Sequence, residues 1–495
     1  MKVAMAQEMR EIDRLAMAEY AYPGLLLMEH AALALFRALK ARFSLGKVGV
    51  ICGKGNNAGD GWALARLLIL DGVEVTVFTP GAEQQLPPDA AANREIARRL
   101  GIREAPWTAL LEAPALLSSF SVLVDALLGT GFRGEVAAEM AAVIAALNKA
   151  DRPVVAVDLP SGVEADTGQV PGPAVRATLT VTFGLPKVGL LVYPGREYAG
   201  EVIVDGIGLP PPLLRERATG YYTFNQRELA ALLPQRKAEA HKGTQGHLLV
   251  VGGSPGMTGA PVLAGLAALR SGAGLVTLGV RDGLNLPEKP MEVLAKPWSK
   301  LQWDAYDAIV VGPGLSTQPD GRAILATVLG LERPCRVLDA DALNLLATIS
   351  RWWEKVKEGL VLTPHPGEMA RLCGLTAGEV QANRLALVKE KTREWGVTLV
   401  LKGAATLVGS AEEPIYINPT GNPALATGGT GDVLAGMIGG LLAQGLAPAQ
   451  AAAVGVYLHG QAGDLAAREI GPVGILAGDL LPRIPRVMGM GAGQC

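Results

Sequence analysis

Cysteine is scarce in this chain, and the few cysteines lie far apart. The 495 residues contain four, Cys52, Cys335, Cys373 and Cys495. No two of them have the C-x-x-C spacing of a zinc or redox site, and four cysteines in a chain of this length do not make a disulfide framework. The sequence therefore predicts a protein of the reducing cytoplasm, without structural disulfides or a zinc centre.

The chain also lacks a charge bias. Its 45 Lys and Arg and 47 Asp and Glu give a formal net charge of −2, and the basic residues are scattered along the sequence. Proteins that bind nucleic acid or anionic lipid carry basic patches or stripes. Neither partner is expected, so the ligand has to be sought in local motifs.

Long hydrophobic runs are missing as well. The longest apolar stretches, such as residues 433–443, are rich in glycine and shorter than the roughly 20 residues that cross a bilayer. Residues 1–20 carry charges every few positions, unlike the apolar core of a signal peptide. No association with a membrane is expected.

Glycine and proline, by contrast, are abundant. The chain has 62 Gly and 33 Pro, with 49% hydrophobic and 19% charged residues. This balance is typical of α/β proteins with many tight turns. The length exceeds what one hydrophobic core supports, and either three domains or two large ones would fit it.

The most informative turn is ATGGTGDVLAG at 426–436, where glycines lead into an apolar, helix-like segment. A helix N-terminus presents unpaired N–H groups and a positive dipole end, and glycines let phosphate oxygens reach the backbone. Asp432 falls in the first turn of that helix, where a carboxylate is useful if it removes a proton from a hydroxyl that attacks phosphorus. A simple helix cap is the alternative interpretation, and this stretch alone does not separate the two.

The first half of the chain has the pattern of an α/β domain. Residues 5–43 follow helical spacing, broken by a Tyr-Pro-Gly turn at 22–24. From Lys47 a strand, the loop GKGNNAGDG, a helix and a second strand follow. Two later strands end in Asp125 and Asp158, each beside a further glycine loop. Parallel strands place ligands at their carboxyl ends, so these loops and carboxylates are expected to share one site.

The loop at 53–61 approximates the glycine fingerprint of dinucleotide-binding folds but departs from it twice. Asn56 and Asn57 stand inside the turn, and the second strand ends in Val-Phe-Thr at 77–79, where a ribose-binding Asp or Glu is expected. A standard dinucleotide site is therefore not predicted.

Three loops in order, GKGNNAGDG, DALLGTGFRG and VDLPSGVEADTG, resemble those of the epimerase domain of bifunctional NAD(P)H-hydrate repair enzymes, although that family usually has Gly where this chain has Ala58. The resemblance implies a Rossmann-like, three-layer αβα domain that interconverts the R and S forms of hydrated NADH and NADPH. It implies a catalytic Asp158 that contacts the reacting end of the substrate, and a potassium ion held by Asn57, Asp125 and Ser161. The other substrate-binding residues that it implies are Asn56, Asn57, Ala58, Gly59 and Asp60, with Gly129, Thr130, Gly131, Phe132, Arg133, Gly134 and Glu135 lining the phosphate.

These residue types suit that chemistry. A carboxylate with amide and hydroxyl oxygens is a ligand set for a hard monovalent cation. The epimerised carbon carries a hydroxyl beside the ring nitrogen, so inversion requires loss of water and its return on the other face. A carboxyl group such as that of Asp158 can donate and reclaim the proton. Helix capping is the alternative role for Asp125 and Asp158.

A proline-rich stretch at 209–235 predicts a domain boundary, since such segments act as stiff spacers. We place the first domain at 1–212, a linker at 213–223 and the second domain at 224–495. The second half again alternates strands, glycine loops and helices over about 250 residues, which predicts another doubly wound α/β layer.

The second half resembles the ribokinase-like superfamily and, within it, the ADP-dependent NAD(P)H-hydrate dehydratases. The motifs that carry the match are, in chain order, GGSPGMTGAP, GPGL, DADALN, TPHPGEM, KGAAT and TGNPALATGGTGD. The resemblance implies a ribokinase-like α/β fold in which Asp432 is the catalytic base. It also implies contacts with the hydrated nucleotide by Ala260, Gly314, His365 and Asp432, and with the adenine nucleotide by Lys402, Gly403, Ala404, Ala405, Thr406 and Gly431.

Two of these roles stay open on the residues alone. His365 stands between two prolines, where it is either a ligand contact or a surface imidazole without a role. Lys402 follows a predicted strand at 398–401 and either meets a phosphate or lies with its stem along the sheet edge.

Phosphorylation suits a dehydration because hydroxide is a poor leaving group, whereas a phosphate ester beside the ring nitrogen leaves readily. The N–H groups of Gly429, Thr430 and Gly431 are expected to stabilise the transferred phosphoryl group. Phosphoryl transfer implies a magnesium ion, for which the sequence identifies no protein ligands. The glycine turn does not choose between ADP and ATP, so ADP rests on the resemblance.

The favoured function is repair of hydrated NADH and NADPH by two sites in one chain. Two alternatives stay open: a kinase of a small alcohol such as a vitamin precursor or sugar, and a first domain that binds nucleotide or a partner without catalysis and regulates the second. Such a kinase would leave the three loops of the first domain unused. A homo-oligomer is expected from the family association alone.

Overall fold

The computed structural model describes residues 1–492 apart from 82–84, 217–218 and 288. The chain divides into two compact units, the first from Lys2 to Tyr221 and the second from Tyr222 onwards. In the part of the chain that is described, no helix is both long enough and apolar enough to cross a bilayer.

The first unit is built on a parallel sheet. The strands of this unit are β1 (Lys2–Val3), which is not part of that sheet, and β2 (Lys47–Cys52), β3 (Glu74–Thr79), β4 (Arg103–Pro106), β5 (Val122–Ala126), β6 (Val154–Val157), β7 (Leu179–Phe183) and β8 (Glu201–Asp205). Its helices are α1 (Ala6–Tyr20), α2 (Gly24–Arg42), α3 (Asn56–Leu70), α4 (Pro88–Arg99), α5 (Trp107–Glu112), α6 (Ala138–Lys149), α7 (Arg196–Ala199) and α8 (Pro211–Arg215), with 3₁₀ turns at Pro114–Ser119 and Val188–Leu190. Strands β2 to β8 lie in the order β4-β3-β2-β5-β6-β7-β8, and all neighbours are parallel.

Helices cover both faces of this sheet. In β2, Val48 and Val50 belong to an apolar cluster shared with α1, α2 and α3, whereas Ile51 belongs to a second cluster shared with α5 and α6. Successive side chains of a strand point to opposite faces, so a strand buried in two clusters lies between two layers. This confirms the predicted Rossmann-like three-layer domain.

The order of the strands reverses between β2 and β5. The loop after β2 and the loop after β5 therefore lead to opposite sides of the sheet, which opens a crevice at the carboxyl ends of these strands. The predicted helical pair at 5–43 is confirmed as α1 and α2. Pro23, which precedes α2, separates them because a proline disfavours the helical conformation of the residue before it.

The second unit has a larger mixed sheet. Its strands, counting β9 at the boundary, are β9 (Tyr221–Tyr222), β10 (His247–Val251), β11 (Leu275–Val280), β12 (Leu294–Pro297), β13 (Ala308–Val311), β14 (Cys335–Leu338), β15 (Leu360–Leu362), β16 (Thr398–Leu401), β17 (Leu407–Gly409) and β18 (Ile415–Ile417). Strands β10 to β18 lie in the order β18-β17-β16-β15-β14-β13-β10-β11-β12. They are parallel except that β17 runs antiparallel to both of its neighbours.

Helices follow most strands of the second unit, as the alternating pattern predicts. They are α9 (Gln226–Leu232), α10 (Gly259–Arg270), α11 (Pro319–Leu329), α12 (Asp341–Leu346), α13 (Pro366–Cys373), α14 (Ala377–Ala382), α15 (Arg384–Trp395), α16 (Thr430–Ala443), α17 (Pro448–Ile470), α18 (Ala477–Leu480) and α19 (Ile484–Ala492). Short 3₁₀ turns lie at Trp298–Lys300, Trp303–Ala305, Trp352–Lys355 and Pro423–Leu425. The strand order reverses between β10 and β13, so this sheet has its own crevice.

The stretch predicted as a linker, 213–223, contains regular structure where it is described. The end of α8 and the strand β9 fall within it. Leu213 is 5% exposed and packs into the core of the first unit. The first unit therefore continues through this helix before the second unit begins.

Glycines let helices α10 and α16 pack closely. A Cβ added at Gly436 of α16 would lie 2.0 Å from the carbonyl oxygen of Ala264 in α10. Every residue of α16 from Val433 to Ala443 is buried. The apolar run that the sequence shows here is thus a core helix, and its first turn is held in place by this packing.

We expect Gly436→Ala to destabilise the second unit by about 1–3 kcal/mol, because the added methyl group would overlap backbone and push the two helices apart. Gly489→Ala is the matched control, since Gly489 is exposed in α19 and its added Cβ meets no described atom within 4 Å. Thermal unfolding followed by circular dichroism measures both. Equal melting temperatures for the two variants would contradict the close packing.

Candidate active sites

The first turn of α3 holds the predicted substrate loop of the first unit. The helix begins at Asn56, which is exposed, and continues through the buried residues Asn57, Ala58 and Gly59 to the partly buried Asp60. Ala58 has no exposed surface, so its methyl group faces the core. The methyl group of Ala58 therefore does not block a ligand, and the turn presents its backbone to the ligand.

The three residues expected to hold potassium come together around Leu128. The side-chain amide of Asn57 donates a hydrogen bond to the carbonyl oxygen of Leu128 at 3.0 Å, and the N–H of Leu128 donates to Oγ of Ser161 at 2.9 Å. Ser161 donates to Asp125 twice, from Oγ at 2.6 Å and from its N–H at 2.8 Å. Burial raises the pKa of Asp125 to about 6. This group of carboxylate, hydroxyl, amide and carbonyl oxygens fits a hard monovalent cation.

Asp158 is the carboxylate at the end of β6, and its backbone is strained. Its φ is 66°, a left-handed conformation that costs a non-glycine residue about 1–3 kcal/mol. Its Oδ1 accepts hydrogen bonds from Nζ of Lys187 at 2.5 Å, from Oγ1 of Thr182 at 2.9 Å and from the N–H of Phe183 at 3.2 Å. Strain of this kind is found at functional sites, where surrounding contacts fix the residue.

Lys187 was missed by the sequence analysis. Only 2% of its side chain is exposed, and it also donates to the carbonyl oxygen of Phe183 at 2.8 Å. It stands in GLPKVG, shortly after β7, the strand next to that of Asp158. The search for charged residues just after predicted strands, which found Asp125 and Asp158, would have found Lys187 if it had included lysine.

Two further carboxyl groups surround this pair. Burial raises the pKa of Asp13, on α1, to about 6. Burial, followed by the neighbouring charge of Asp158, raises the pKa of Asp60 well above its ordinary value. Asp13 was not predicted. The site thus collects carboxyl groups with raised pKa values, which suits an acid–base reaction.

The loop at 129–135 lies beside this site on the surface. It is tied to the loop after β6, because the N–H of Gly134 donates to Glu164 at 3.0 Å and Arg133 forms an ion pair with Asp166. Gly129, Thr130 and Phe132 are partly buried, and Gly131, Arg133, Gly134 and Glu135 are exposed.

In the second unit, the glycine turn is a helix N-terminus, as predicted. Gly429 is the N-cap of α16 with a φ of 91°, and an added Cβ there would lie 2.9 Å from Leu263 of α10. Oγ1 of Thr430 donates to the carbonyl oxygens of Leu425 and Thr427, both at 2.9 Å. The first N–H groups of a helix have no partner within the helix, so this turn offers donors to an anion.

Asp432 stands in the first turn of α16 but is not its N-cap, which is Gly429. Burial raises the pKa of Asp432 to about 7, the negative charge of Asp339 adds to the rise, and Lys402 opposes it. A carboxyl group with a pKa near the working pH is suited to general-base catalysis. The geometry therefore favours the functional interpretation of this residue over the cap.

Lys402, at the end of β16, lies beside that helix terminus. Its Nζ is 2.6 Å from Oδ1 of Asp339 and 3.8 Å from Oε2 of Glu368, and a Cβ added at Gly431 would lie 3.4 Å from it. Burial lowers the pKa of Lys402, but these carboxylates outweigh it and the net shift is upward. Asp339 is 1% exposed and also accepts a bond from Oγ1 of Thr363 at 2.8 Å. The lysine thus points toward the site and does not lie along the sheet edge.

The fold creates a carboxylate cluster that the sequence analysis did not identify. Asp339 and Asp341 come from DADALN after β14, and Glu368 comes from TPHPGEM after β15. These strands are neighbours, so the two motifs meet and act on Asp432 together. Among the residues that the structure describes, no group of three or more His, Cys, Asp or Glu side chains has the arrangement of a metal site.

His365 has a structural role that neither interpretation included. It is the N-cap of α13, and its Nδ1 accepts bonds from the N–H groups of Gly367 at 3.0 Å and Glu368 at 3.3 Å. Burial, with the nearby charge of Lys402, lowers the pKa of His365. Because Nδ1 accepts, the neutral ring carries its proton on Nε2. About half of the side chain (51%) is exposed, so contact with a ligand stays a prediction.

Arg384 shapes the predicted nucleotide loop at 402–406. Its guanidinium donates to the carbonyl oxygens of Leu401 at 3.1 Å, Lys402 at 3.0 Å and Ala405 at 3.3 Å. Gly403 has a φ of 130°. Gly403 and Ala404 are exposed, Lys402 and Thr406 are partly buried, and Ala405 is buried.

The remaining predicted substrate contacts lie around the strand-order reversal of the second sheet. Ala260 is in the first turn of α10, and Gly314 follows β13 with a φ of 62°. A Cβ at Gly314 would lie 2.4 Å from the carbonyl oxygen of Met257, so the loops after β10 and β13 touch. The N–H of Ser316 donates to Asp341 at 2.8 Å, which joins the loop after β14 to them.

His459 of α17 was also missed. It is buried, and its Nε2 donates to the carbonyl oxygen of Thr430 at 2.9 Å. Burial lowers the pKa of His459 to about 4, so the ring is neutral at physiological pH. Through this bond His459 holds the first turn of α16 in place without adding charge to the site.

Comparison with known proteins decides the family. The model described as NAD(P)H-hydrate dehydratase matches residues 248–486, and the one described as YjeF-related protein N-terminus matches residues 24–189. The bifunctional NAD(P)H-hydrate repair enzyme of Moorella thermoacetica is 45% identical over 518 residues, covering 99% of this chain and 97% of that protein. The chain belongs to the family of bifunctional NAD(P)H-hydrate repair enzymes. The enzyme of the same name from Coxiella burnetii is 43% identical over 488 residues, 97% of each chain.

A solved structure supports the fold of the second unit. A ribokinase-like superfamily protein of Enterococcus faecalis is similar with a TM-score of 0.50 and 28% identity, covering 56% of this chain and 98% of that one. The predicted ribokinase-like fold is thereby confirmed. The full-length relatives match over both units, so family membership applies to the whole chain.

The raised pKa of Asp432 makes the stability of this family member depend on pH. Between the ordinary value of 3.8 and about 7 the folded state binds more protons than the unfolded state, so stability falls as the pH rises and the loss is complete above about pH 7. Asp432→Asn removes the ionisation. We expect this variant to melt at a higher temperature than the parent protein at about pH 8 and at a similar one at about pH 4.

The control for this comparison is Asp304→Asn, at an exposed aspartate of the same unit. It should leave the pH dependence of melting unchanged. If the melting temperatures of Asp432→Asn and the parent protein differ by the same amount at both pH values, the pKa of Asp432 is not raised in the folded protein.

Proposed function

We propose that this chain restores hydrated NADH and NADPH to working cofactors with two activities. An epimerase in residues 1–212 interconverts the R and S hydrates, and a dehydratase in 224–495 removes water from the S hydrate at the expense of ADP, giving AMP and phosphate. Residues 213–223 join them. The observation that carries the proposal is that each unit sets a carboxylate beside a lysine near the carboxyl ends of its parallel strands, Asp158 with Lys187 and Asp432 with Lys402. Relatives named as bifunctional repair enzymes support it.

In the epimerase, Asp158 is the group that moves the proton. It protonates the hydroxyl as the lone pair of the ring nitrogen expels water, and the planar cation then takes up water on either face while Asp158 reclaims a proton. Lys187 and Thr182 hold Oδ1 and so orient the carboxyl group. The turn at 56–60 and the loop at 129–135 bind the rest of the substrate.

We assign Asn57, Asp125 and Ser161 as the residues that would hold a potassium ion. The oxygens that meet around Leu128 fit such a cation. When bound, the ion supplies a positive charge that favours phosphate binding. The buried carboxylate of Asp125 would be stabilised by it.

In the dehydratase, Asp432 removes the proton from the substrate hydroxyl as that oxygen attacks the terminal phosphorus of ADP and AMP departs. The ring nitrogen then expels phosphate, and loss of a proton from the adjacent carbon restores the double bond. The N–H groups at 429–431 and the ammonium of Lys402 stabilise the charge on the transferred group. Magnesium is the expected companion of the nucleotide, and ATP is the alternative donor.

The other residues of the second unit bind the two substrates. Ala260, Gly314 and His365, together with Asp432, line the side of the hydrated nucleotide. The loop at 402–406 and Gly431 line the side of the adenine nucleotide. Arg384 holds that loop through three backbone carbonyls, as the phosphate-binding role requires.

The setting that we propose is the cytoplasm, where thiols stay reduced, and the assembly is a homo-oligomer. Cys52, Cys335 and Cys373 are free thiols, which suits a reducing compartment. A kinase of a small alcohol is the disfavoured alternative, because it would leave the site around Asp158 without a function. The products formed from hydrated NADH and ADP distinguish the repair activity from the kinase.

We expect Asp432→Asn to lower ADP-dependent recovery of the reduced-nicotinamide absorbance by about 10²–10⁴-fold, because it removes the general base. Interconversion of the R and S hydrates, followed by chromatography, should stay within about twofold of the parent. Asp304→Asn should change neither activity. In the parent, the rate of dehydration should rise with pH through about 7 as Asp432 loses its proton.

Two results would contradict this proposal. Accumulation of a stable phosphorylated product, without return of the absorbance, would make the second unit a kinase. Dehydration by Asp432→Asn at the parental rate would mean that the base lies elsewhere.

A further inference from the structure

A cavity of about 640 Å³ lies in the first unit, apart from the residues assigned above. It opens at the carboxyl ends of β3 and β4, the two strands at one edge of the sheet. Thr79 from β3, Glu104 and Ala105 from β4, and Ala91 from α4 contribute to its wall. Its volume falls within the roughly 300–1,000 Å³ of small-molecule sites.

The polar groups of this cavity form a connected set. Oε1 of Glu104 accepts a hydrogen bond from Arg94 at 2.5 Å and another from Oγ1 of Thr79 at 3.2 Å. Arg98, whose side chain is 61% exposed, also lines the cavity, and its Nη1 is 3.7 Å from Oε2 of Glu95, another residue of the wall. The wall thus has an acceptor held in place by two donors, an exposed ion pair and the methyl groups of two alanines.

Glu104 supplies the acidic residue that the dinucleotide fingerprint expects at the end of the second strand and that this chain lacks there. In such folds the second strand ends in an acidic residue that binds a ribose hydroxyl. Here that strand ends in Thr79, but its neighbour β4 lies parallel to it, with Glu104 paired to Val77 in the register. The carboxylate missing from one strand is supplied by the next and reaches the same place, as its bond with Thr79 shows.

The helix that forms one wall of the cavity, α4, packs against the substrate loop. A Cβ added at Gly59, in the first turn of α3, would lie 2.8 Å from Cβ of Ala90, the residue before Ala91. Strand β6, which carries the reacting end at Asp158, is three strands from β3 and four from β4. At the usual spacing this is about 14–19 Å, a span suited to an extended dinucleotide joined by a diphosphate.

We propose that this cavity binds the adenosine half of the hydrated dinucleotide while its nicotinamide half lies at Asp158. The proposal rests on the epimerase function proposed above. Glu104 accepts hydrogen bonds from the ribose hydroxyls, and the alanine side chains lie against the adenine. The cavity determines whether the enzyme distinguishes a dinucleotide from a mononucleotide.

The test compares two substrates of the full-length protein, hydrated NADH and hydrated reduced nicotinamide mononucleotide, which lacks the adenosine half. Ala91→Trp fills the cavity, and Ile96→Trp is the matched control at an exposed position of the same helix outside it. We expect Ala91→Trp to raise KM for epimerisation of hydrated NADH about tenfold or more while KM for the mononucleotide and both kcat values stay unchanged. Ile96→Trp should change none of them.

A second variant guards against misfolding of the first. Glu104→Gln keeps the size of the side chain but weakens the acceptor, and should raise KM for hydrated NADH alone by several-fold. Equal changes with both substrates, or no change with either, would overturn the proposal. Failure of the parent protein to epimerise either substrate would instead overturn the epimerase function, so the two failures are distinguishable.

Discussion

The burial of a carboxylate beside a lysine at the carboxyl ends of parallel strands is the interaction on which both sites depend. Removing a charge from water is costly unless an opposite charge and hydrogen bonds compensate. Lys187 compensates Asp158 at a distance of 2.5 Å, and Lys402 compensates Asp339 at 2.6 Å. In both units burial raises the pKa values of further carboxyl groups nearby, and the charge of the paired carboxylate adds to the rise.

These raised pKa values suit the carboxyl groups to acid–base catalysis. Asp432 has a pKa of about 7 because it is buried near Asp339 and Lys402 is already paired. Burial, together with the charge of Asp158, likewise raises the pKa values of Asp13 and Asp60. The sheets position these groups through rigid strand ends, and neutral supports such as His459 hold the first helical turn without adding charge. One physical arrangement thus serves an epimerisation in one unit and a phosphoryl transfer in the other.

The fold class and the main motifs could be predicted from the sequence because strands, glycine loops and small-residue helices alternate with a clear period. Asp158 and Asp432 were found since each lies beside a recognisable glycine motif. Lys187 and Glu104 were not, because their roles depend on which strands become neighbours, and the order of strands in a sheet is not written in local spacing. The capping bonds of His365 were also hidden, since they depend on backbone N–H groups that only the folded loop directs.

Complementation between inactive variants tests whether two separate sites of one chain act in sequence. Purified R hydrate of NADH is incubated with ADP and magnesium and either Asp158→Asn, Asp432→Asn or both proteins together. We predict that neither variant alone restores the reduced-nicotinamide absorbance, whereas the mixture restores it, because one variant supplies the epimerase and the other the dehydratase. Restoration by Asp432→Asn alone, or failure of the mixture, would contradict it.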